Sequence, residues 1–586
     1  LDNDAIQYLQ LYDKLNPKRL HHTPLSVTVA MLAEMLCCTP RNVKFILRRL
    51  ESRNWIIWQP GRGRGHTSLL QFLYPDTDMM EVRLRQLLDK DRVKEALELI
   101  STLEADEHSR EKLWNILHIY LGMHSEQEES NIQDVLRMIR YRSLEKLDTA
   151  NVFTAFEVFI LRQITDTLLA YDAGSRQFLP RVAHRWEHNE DHTIWTFYLR
   201  KGVRFHNGAL LTARDVQYTW QRLYKQQSSA LWLYRDIREV EQKGDHVVTF
   251  HLHRSNLFFL HLITNVYMAI LPAHMEQEEC RIGSGPFRIS ELTANKLSLL
   301  AFDDYYGLRP VLDRVDVWFM PEQGHNGRLY QLSERDDQMV SRQINHPVLG
   351  CRYLRFDFRK PGIQHQRHFR ECIRHLYDGQ RMMRELGGDR IAPAHSLLPW
   401  KSADYHAAQE GSLAVAELLL RQSGYDGSEL GISFLDKKEE QIEAQWLQQQ
   451  AAQIGLRLRL LPCTQAYGTM LYGRDRGEIM LGMEILEDDW EWDMINFFGN
   501  EGNYLYHALG NEQQLQLKKM LEGIMQLEQE EREVVLDQVE RLMREENWVI
   551  YGNHLNQQAY FNRNLYGLHI ESFGFPNLSA LWIRKK

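Results

Sequence analysis

Five carboxylates, Glu487, Asp488, Asp489, Glu491 and Asp493, crowd the segment EILEDDWEWDMINFF (Glu484 to Phe498), interleaved with Trp490 and Trp492. Acids set between aromatic rings can hold an ammonium group or sugar hydroxyls, because the rings exclude water while the carboxylates fix orientation. They repel an uncompensated phosphate, and more strongly as water leaves. Asp488, Asp489, Trp490 and Trp492 are therefore candidate ligand residues, with Trp400 in SLLPWK as a further wall. A second group is basic. In TPRNVKFILRRL, Thr39 is suited to cap a helix with Pro40 at its first position. Val43, Ile46, Leu47 and Leu50 form that helix's inner stripe, and Arg41, Asn42, Lys44 and Arg48 its outer face. Arg and Asn make bidentate contacts with guanine and adenine edges in the major groove. Arg62 and Arg64, in the thin loop PGRGRGHT, are spaced to reach phosphate or the minor groove. These seven residues, Thr39 included, are the candidate DNA contacts.

The elements that must carry the basic group are legible around it. Val29, Leu32, Ala33 and Leu36 recur at helical spacing, and Cys37-Cys38-Thr39 closes that first helix. WIIWQ and TSLLQFLY read as two strands with the Gly-rich loop between them. Residues 1–74 thus have the order of a winged helix-turn-helix, a mainly α domain. Residues 75–134 read as a helical connector, from the apolar spacing of MEVRLRQLLDKDRVKEALELISTLE, with the acidic HSEQEES (His124 to Ser130) as a surface break. From residue 135 onward short apolar strands and aromatic-rich loops begin.

Composition narrows the function classes. With 586 residues, 44 % of them hydrophobic, the chain calls for two or three folded domains. It contains no run of about 18 apolar residues, and its first twenty positions lack the basic-then-apolar order of a secretory signal. The expectation is a cytoplasmic protein with no membrane contact. Net charge is −9, yet residues 1–74 hold ten Lys/Arg against five acids, a balance of +5 that leaves −14 for the rest. That asymmetry fits an anion-binding end on an anion-repelling body. The six cysteines lack zinc-site spacing. His365, His368, Cys372 and His375 have helical spacing, but no second ligand set or HExxH motif accompanies them, and no serine sits in a G-x-S-x-G elbow. Neither an enzyme nor a cofactor nor a metal site is expected.

Several segments resemble the extracytoplasmic solute-binding proteins of the dipeptide and oligopeptide class. They are LPRVAHRWE (Leu179 to Glu187), WTFYLRKGVRFHNGALLTARDVQYTW (Trp195 to Trp220), IGSGPFRI (Ile282 to Ile289) and LLAFDDYYGLRPVLDRVDVWFMP (Leu299 to Pro321). YLRFDFRKPGIQHQRHFRECIRHLYD and GLHIESFGFPNLSALWI resemble the entry to the family's second lobe and its closing segment. Asn207 and Phe287 depart from the Asp and Tyr usual there. The resemblance implies a two-lobed α/β periplasmic-binding-protein-like (type II) domain over 135–586, with lobe I about 135–345 and 558–586 and lobe II about 346–557. It also implies that Asp488 or Asp489 beside Trp490 is the counterpart of the acid that grips a peptide ammonium. A winged helix joined to such a receptor is the arrangement of the SgrR family of transcriptional regulators, which the whole chain resembles. That family implies an activator or repressor that binds double-stranded DNA and senses a small metabolite, with sugar phosphate the leading candidate; the acidic segment suits a sugar, peptide or amine better, and ligand binding is expected to alter either operator affinity or contact with RNA polymerase. The oligomeric state stays open. The alternatives are the solute-binding component of an ABC transporter with an unusual N-terminal extension, and a DNA-bound structural protein whose receptor body is a relic.

Overall fold

The computed structural model describes residues 3–584 except 17–21, 62–66, 102–111, 115, 118–119, 129–130, 141–143, 145, 153, 275–279, 320–330, 333–341, 404–409, 464–475 and 562–564. The N-terminal unit runs α1 (Asn3–Leu15), β1 (Pro24–Val27), α2 (Val29–Met35), α3 (Pro40–Ser52), β2 (Ile56–Gln59) and β3 (Ser68–Phe72). Its three strands form an antiparallel sheet in the order β1-β3-β2. Local chemistry sets the helix starts: Thr28 Oγ1 accepts the Met31 amide at 3.2 Å, and Thr39 Oγ1 that of Asn42 at 3.3 Å. Between the helices Cys37 adopts φ +48°, and its amide closes on the Glu34 carbonyl. That left-handed residue lets the chain reverse within two positions. Val43, Ile46, Leu47 and Leu50 are buried as their spacing predicts. α1 adds a part not foreseen from sequence: Tyr8 and Tyr12 pack edge-on against Phe72, with ring centroids 5.1 and 5.0 Å away.

The connector begins as expected with α4 (Asp76–Leu88) and α5 (Val93–Ser101), whose Leu84, Leu87, Leu88, Val93, Ala96 and Ile100 are buried. It ends earlier than residue 134. The described residues of 122–134, a stretch expected as its tail and a surface break, instead belong to β4 (Gly122–Glu128) and the first part of β5 (Asn131–Arg140), which pair antiparallel. β5 runs parallel to strand Arg314–Phe319, so the body's first sheet already starts at Gly122. The five strands lie in the order 287–292, 296–301, 314–319, β5, β4. β4 is the outermost, and an edge strand needs little apolar sequence because backbone pairing holds it and polar side chains protect it. A polar run such as HSEQE therefore reads as loop.

Body topology alternates between two halves. A four-stranded antiparallel sheet (183–188, 194–199, 237–242, 247–252) belongs with the first half. The chain crosses at 342–347 into a mixed five-stranded sheet, ordered 458–463, 430–435, 479–485, 350–356, 549–551, and returns through strand Asn553–Phe561. Gly350–Phe356 is buried at every position, as a central strand covered on both faces must be. Trp318 and Ile139 of the first sheet pack into the connector's apolar cluster. Lys296 Nζ meets Asp91 Oδ2 at 2.7 Å, the Tyr120 hydroxyl also donates to Asp91, and the Arg137 guanidinium lies 4.4 Å over the Tyr120 ring. The connector is thus pinned to the first lobe. No helix among the described residues is long and apolar enough to cross a membrane.

Candidate nucleic-acid interface and lobe junction

α3 divides its cations by fate. Arg49 and Arg53 both turn back to Asp4 of α1, each at 3.0 Å. Arg41, Lys44 and Arg48 are exposed, and among the described residues they make no ion pair. Asn42 shares that surface, its amide held by the Thr39 cap. Four of the expected DNA contacts are therefore brought to one outward face, with Thr39 at its leading end. Arg62 and Arg64 lie outside the described residues. Sequence reasoning missed Phe45, which stands 51 % exposed among these cations.

The acidic segment lies where the halves of the body meet. Helix Trp490–Gly499 is capped by Asp489, whose Oδ1 accepts the Trp492 amide at 3.3 Å. Its other carboxylate oxygen meets His261 Nδ1 at 2.7 Å. Glu487 pairs with Arg162 of helix Ala155–Ile164, Asp488 accepts from the Ser572 hydroxyl, and Glu491 pairs with Arg532. Arg162, His261 and Ser572 all come from the first lobe or the closing segment, so three consecutive acids tie the lobes together. Arg532 also lies 4.9 Å over the Phe258 ring. The expected ligand acids Asp488 and Asp489 are thus engaged within the protein.

Carboxylates still outnumber their partners. Burial, with the charge of Glu487 adding to it, pushes the Asp493 carboxyl up to about 8. Burial raises Glu487 against the pull of Arg162, and raises Glu571 as well. Glu484, raised by burial and by Asp493, has a buried Oε2 without a hydrogen-bond partner among the described residues. Nearby, burial lowers His346, whose buried Nε2 is likewise without one. Burial thus favours the neutral form of these acids, and Glu484 and His346 each leave a polar atom unsatisfied at the junction. The indoles differ in availability. Trp492 is 2 % exposed and packed near Tyr267, with centroids 6.4 Å apart, so it belongs to the core. Trp490, 9 % exposed, meets Trp400 edge-on at 6.1 Å, and Trp400 itself stands 47 % exposed. The first-lobe partners carry no local sequence signal: Arg162 lies 325 positions from Glu487, and His261 lies 228 from Asp489.

A two-lobed body with a polar junction between its halves defines the solute-receptor class of fold, here preceded by a compact helix-and-sheet unit. Residues 177–500 match the family model of bacterial extracellular solute-binding proteins, family 5, and residues 5–128 that of the N-terminal part of the sugar transport-related sRNA regulator. The Bacillus subtilis (strain 168) protein YhjP is 30 % identical over 572 residues, covering 95 % of this chain and 96 % of that one. The HTH-type transcriptional regulator SgrR of Salmonella typhi is 29 % identical over 389 residues, which span 64 % of this chain and 66 % of the regulator. A dipeptide-binding protein from Pseudoalteromonas sp. SM9913, solved in complex with Met-Leu, shares the body fold at a TM-score of 0.66 and 18 % identity, covering 77 % of this chain and all 100 % of that one. The chain belongs to the SgrR family of regulators and carries a family 5 solute-binding-like domain.

Proposed function

We propose that this regulator grips double-stranded DNA through residues 1–74, acting as a winged helix-turn-helix, and that a small molecule held between the lobes of its body tunes that grip. The observation that carries the first half is the outward face of α3, where Arg41, Asn42, Lys44 and Arg48 stand exposed behind the Thr39 cap. A capped helix leading with a basic face after a tight turn is suited to the major groove. Arg62 and Arg64, which fall between β2 and β3 in the sequence, are assigned to phosphate or minor groove on sequence grounds. A DNA grip belongs in the cytoplasm, and this reading needs no catalytic step, cofactor or membrane. The regulator-type match over residues 5–128 weighs against a transport receptor with an N-terminal extension.

The sensed molecule is one that brings an amine or several hydroxyls. The buried acids around Asp493 and Glu484, which favour their neutral form when closed off, can hydrogen-bond hydroxyls in that form or release a proton to pair with an ammonium, and Trp400 is an exposed aromatic wall beside Trp490; together these support this class. A sugar or an amine-bearing peptide fits it better than a sugar phosphate, whose phosphate would meet carboxylates with Arg162 already paired. Asp488 and Asp489 then serve by exchange, since a ligand reaching them replaces Ser572 or His261 and so alters how the lobes are tied. Because the connector is pinned to the first lobe by Asp91 and Lys296, such a change moves the second lobe relative to α3. DNA or RNA polymerase would feel that movement. The reading is tested by selecting duplexes from a random pool with the full chain, then screening sugars, sugar phosphates, peptides and amines by thermal shift. A preferred duplex whose binding responds to a thermal-shift hit supports it; a chain that retains no duplex above background overturns it.

A further inference from the structure

Phe45 sits at odds with the surface around it. Its side chain is 51 % exposed on α3, one helical turn after Arg41 and one turn before Arg48 and Arg49. At about 100° per residue, it points roughly opposite the buried stripe of Val43, Ile46, Leu47 and Leu50. A lone exposed apolar side chain is ordinary on a protein surface. This one lies beside Arg41 and Arg48, on the face where they and Lys44 keep their charges unpaired among the described residues. A protein partner that covered the ring would have to bury those cations with it, at high desolvation cost unless it brought matching acids. A polyanion with an apolar group at the depth of its groove meets both demands. The major groove of DNA is such a surface, since thymine presents a C5-methyl between the two phosphate backbones.

We propose that Phe45 is a specificity-determining residue that packs against a thymine methyl while Arg41, Lys44 and Arg48 engage phosphates or base edges around it. The inference rests on α3 being the helix that enters the groove. It deepens that reading by fixing one base type at the centre of the recognised sequence.

The experiment uses the full chain and the duplex it selects from a random pool, with each thymine replaced in turn by deoxyuridine. That replacement removes one methyl and leaves every hydrogen-bonding group. The expected result is a loss of about four-fold in affinity at one or two neighbouring thymines, the value of one buried methyl-sized group. Phe45→Ala is expected to bind the parent duplex more weakly and to lose all sensitivity to deoxyuridine at those positions, while Phe45→Leu keeps part of it. Because the ring is exposed, neither change threatens the fold. Indifference of the wild-type chain to deoxyuridine at every position overturns the inference, as does an undiminished deoxyuridine effect in Phe45→Ala. Arg41→Ala with Arg48→Ala separates the two levels. If that pair weakens binding while deoxyuridine stays silent, only the role of Phe45 falls; if that pair leaves binding unchanged, the groove-entering role of α3 falls with it.

Discussion

On α3, Arg41, Lys44 and Arg48 keep their charges in solvent, whereas at the lobe junction Glu487 and Glu491 have theirs met by Arg162 and Arg532, and Asp489 is held by a hydrogen bond with His261. Both regions concentrate one sign of charge in a few residues, and both stand out in the sequence. Their consequences are opposite. An exposed cation adds little to stability and is available to a partner. A buried, paired carboxylate is costly to unpair and contributes to how the lobes are held. A substitution on α3 should therefore change binding without changing folding, and one at the junction should change folding first.

The sharpest contrast comes from Arg532→Ala. It leaves Glu491 buried without its cation, and a cost of about 3–5 kcal/mol is expected, read as a lower unfolding midpoint in urea. Arg41→Ala with Arg48→Ala should leave that midpoint within about 0.5 kcal/mol of wild type. It should weaken duplex binding and flatten the plot of log affinity against log salt by about 2 units of slope, in salt-titrated binding isotherms. If the α3 pair unfolds the chain and Arg532→Ala does not, the contrast is inverted.

Protonation supplies a subtler test. Asp493 rises from its ordinary 3.8 to about 8 in the folded chain. Between those values the folded state keeps a proton that the unfolded state has released, so this group's contribution to stability falls as pH climbs from about 4 to about 8. Asp493→Asn should therefore raise the thermal midpoint at pH 8 by about 2–4 °C, with little change near pH 4, in scans across that range. The smallest expected effect is that of Arg49→Ala. Its pair with Asp4 is half exposed and is worth about 0–1 kcal/mol, and duplex affinity should fall less than with Arg48→Ala.

What could be read in advance follows the range of the interactions. Thr39, Pro40 and the stripe Val43, Ile46, Leu47 and Leu50 act within one helix, so their spacing alone gave α3 and its outer face. The acidic segment was equally visible as composition. Its neutralisation was not, because Arg162, His261 and Ser572 reach it across hundreds of residues and obey no periodicity. Trp492 stood beside Trp490 as a ligand wall by pattern, but helix Trp490–Gly499 turns it into the core while Trp400 stays exposed. β4 escaped notice because an edge strand needs little apolar sequence, and Phe45 because it belongs neither to the helix's inner stripe nor to the polar groups expected on its outer face.

Under the proposed function the DNA grip and the ligand site share one free-energy balance. It is tested most directly by measuring duplex affinity with and without a saturating thermal-shift ligand, and that ligand's affinity with and without saturating duplex. The expected result is the same factor in both directions, about five-fold or more. Two affinities each indifferent to the other partner would contradict it.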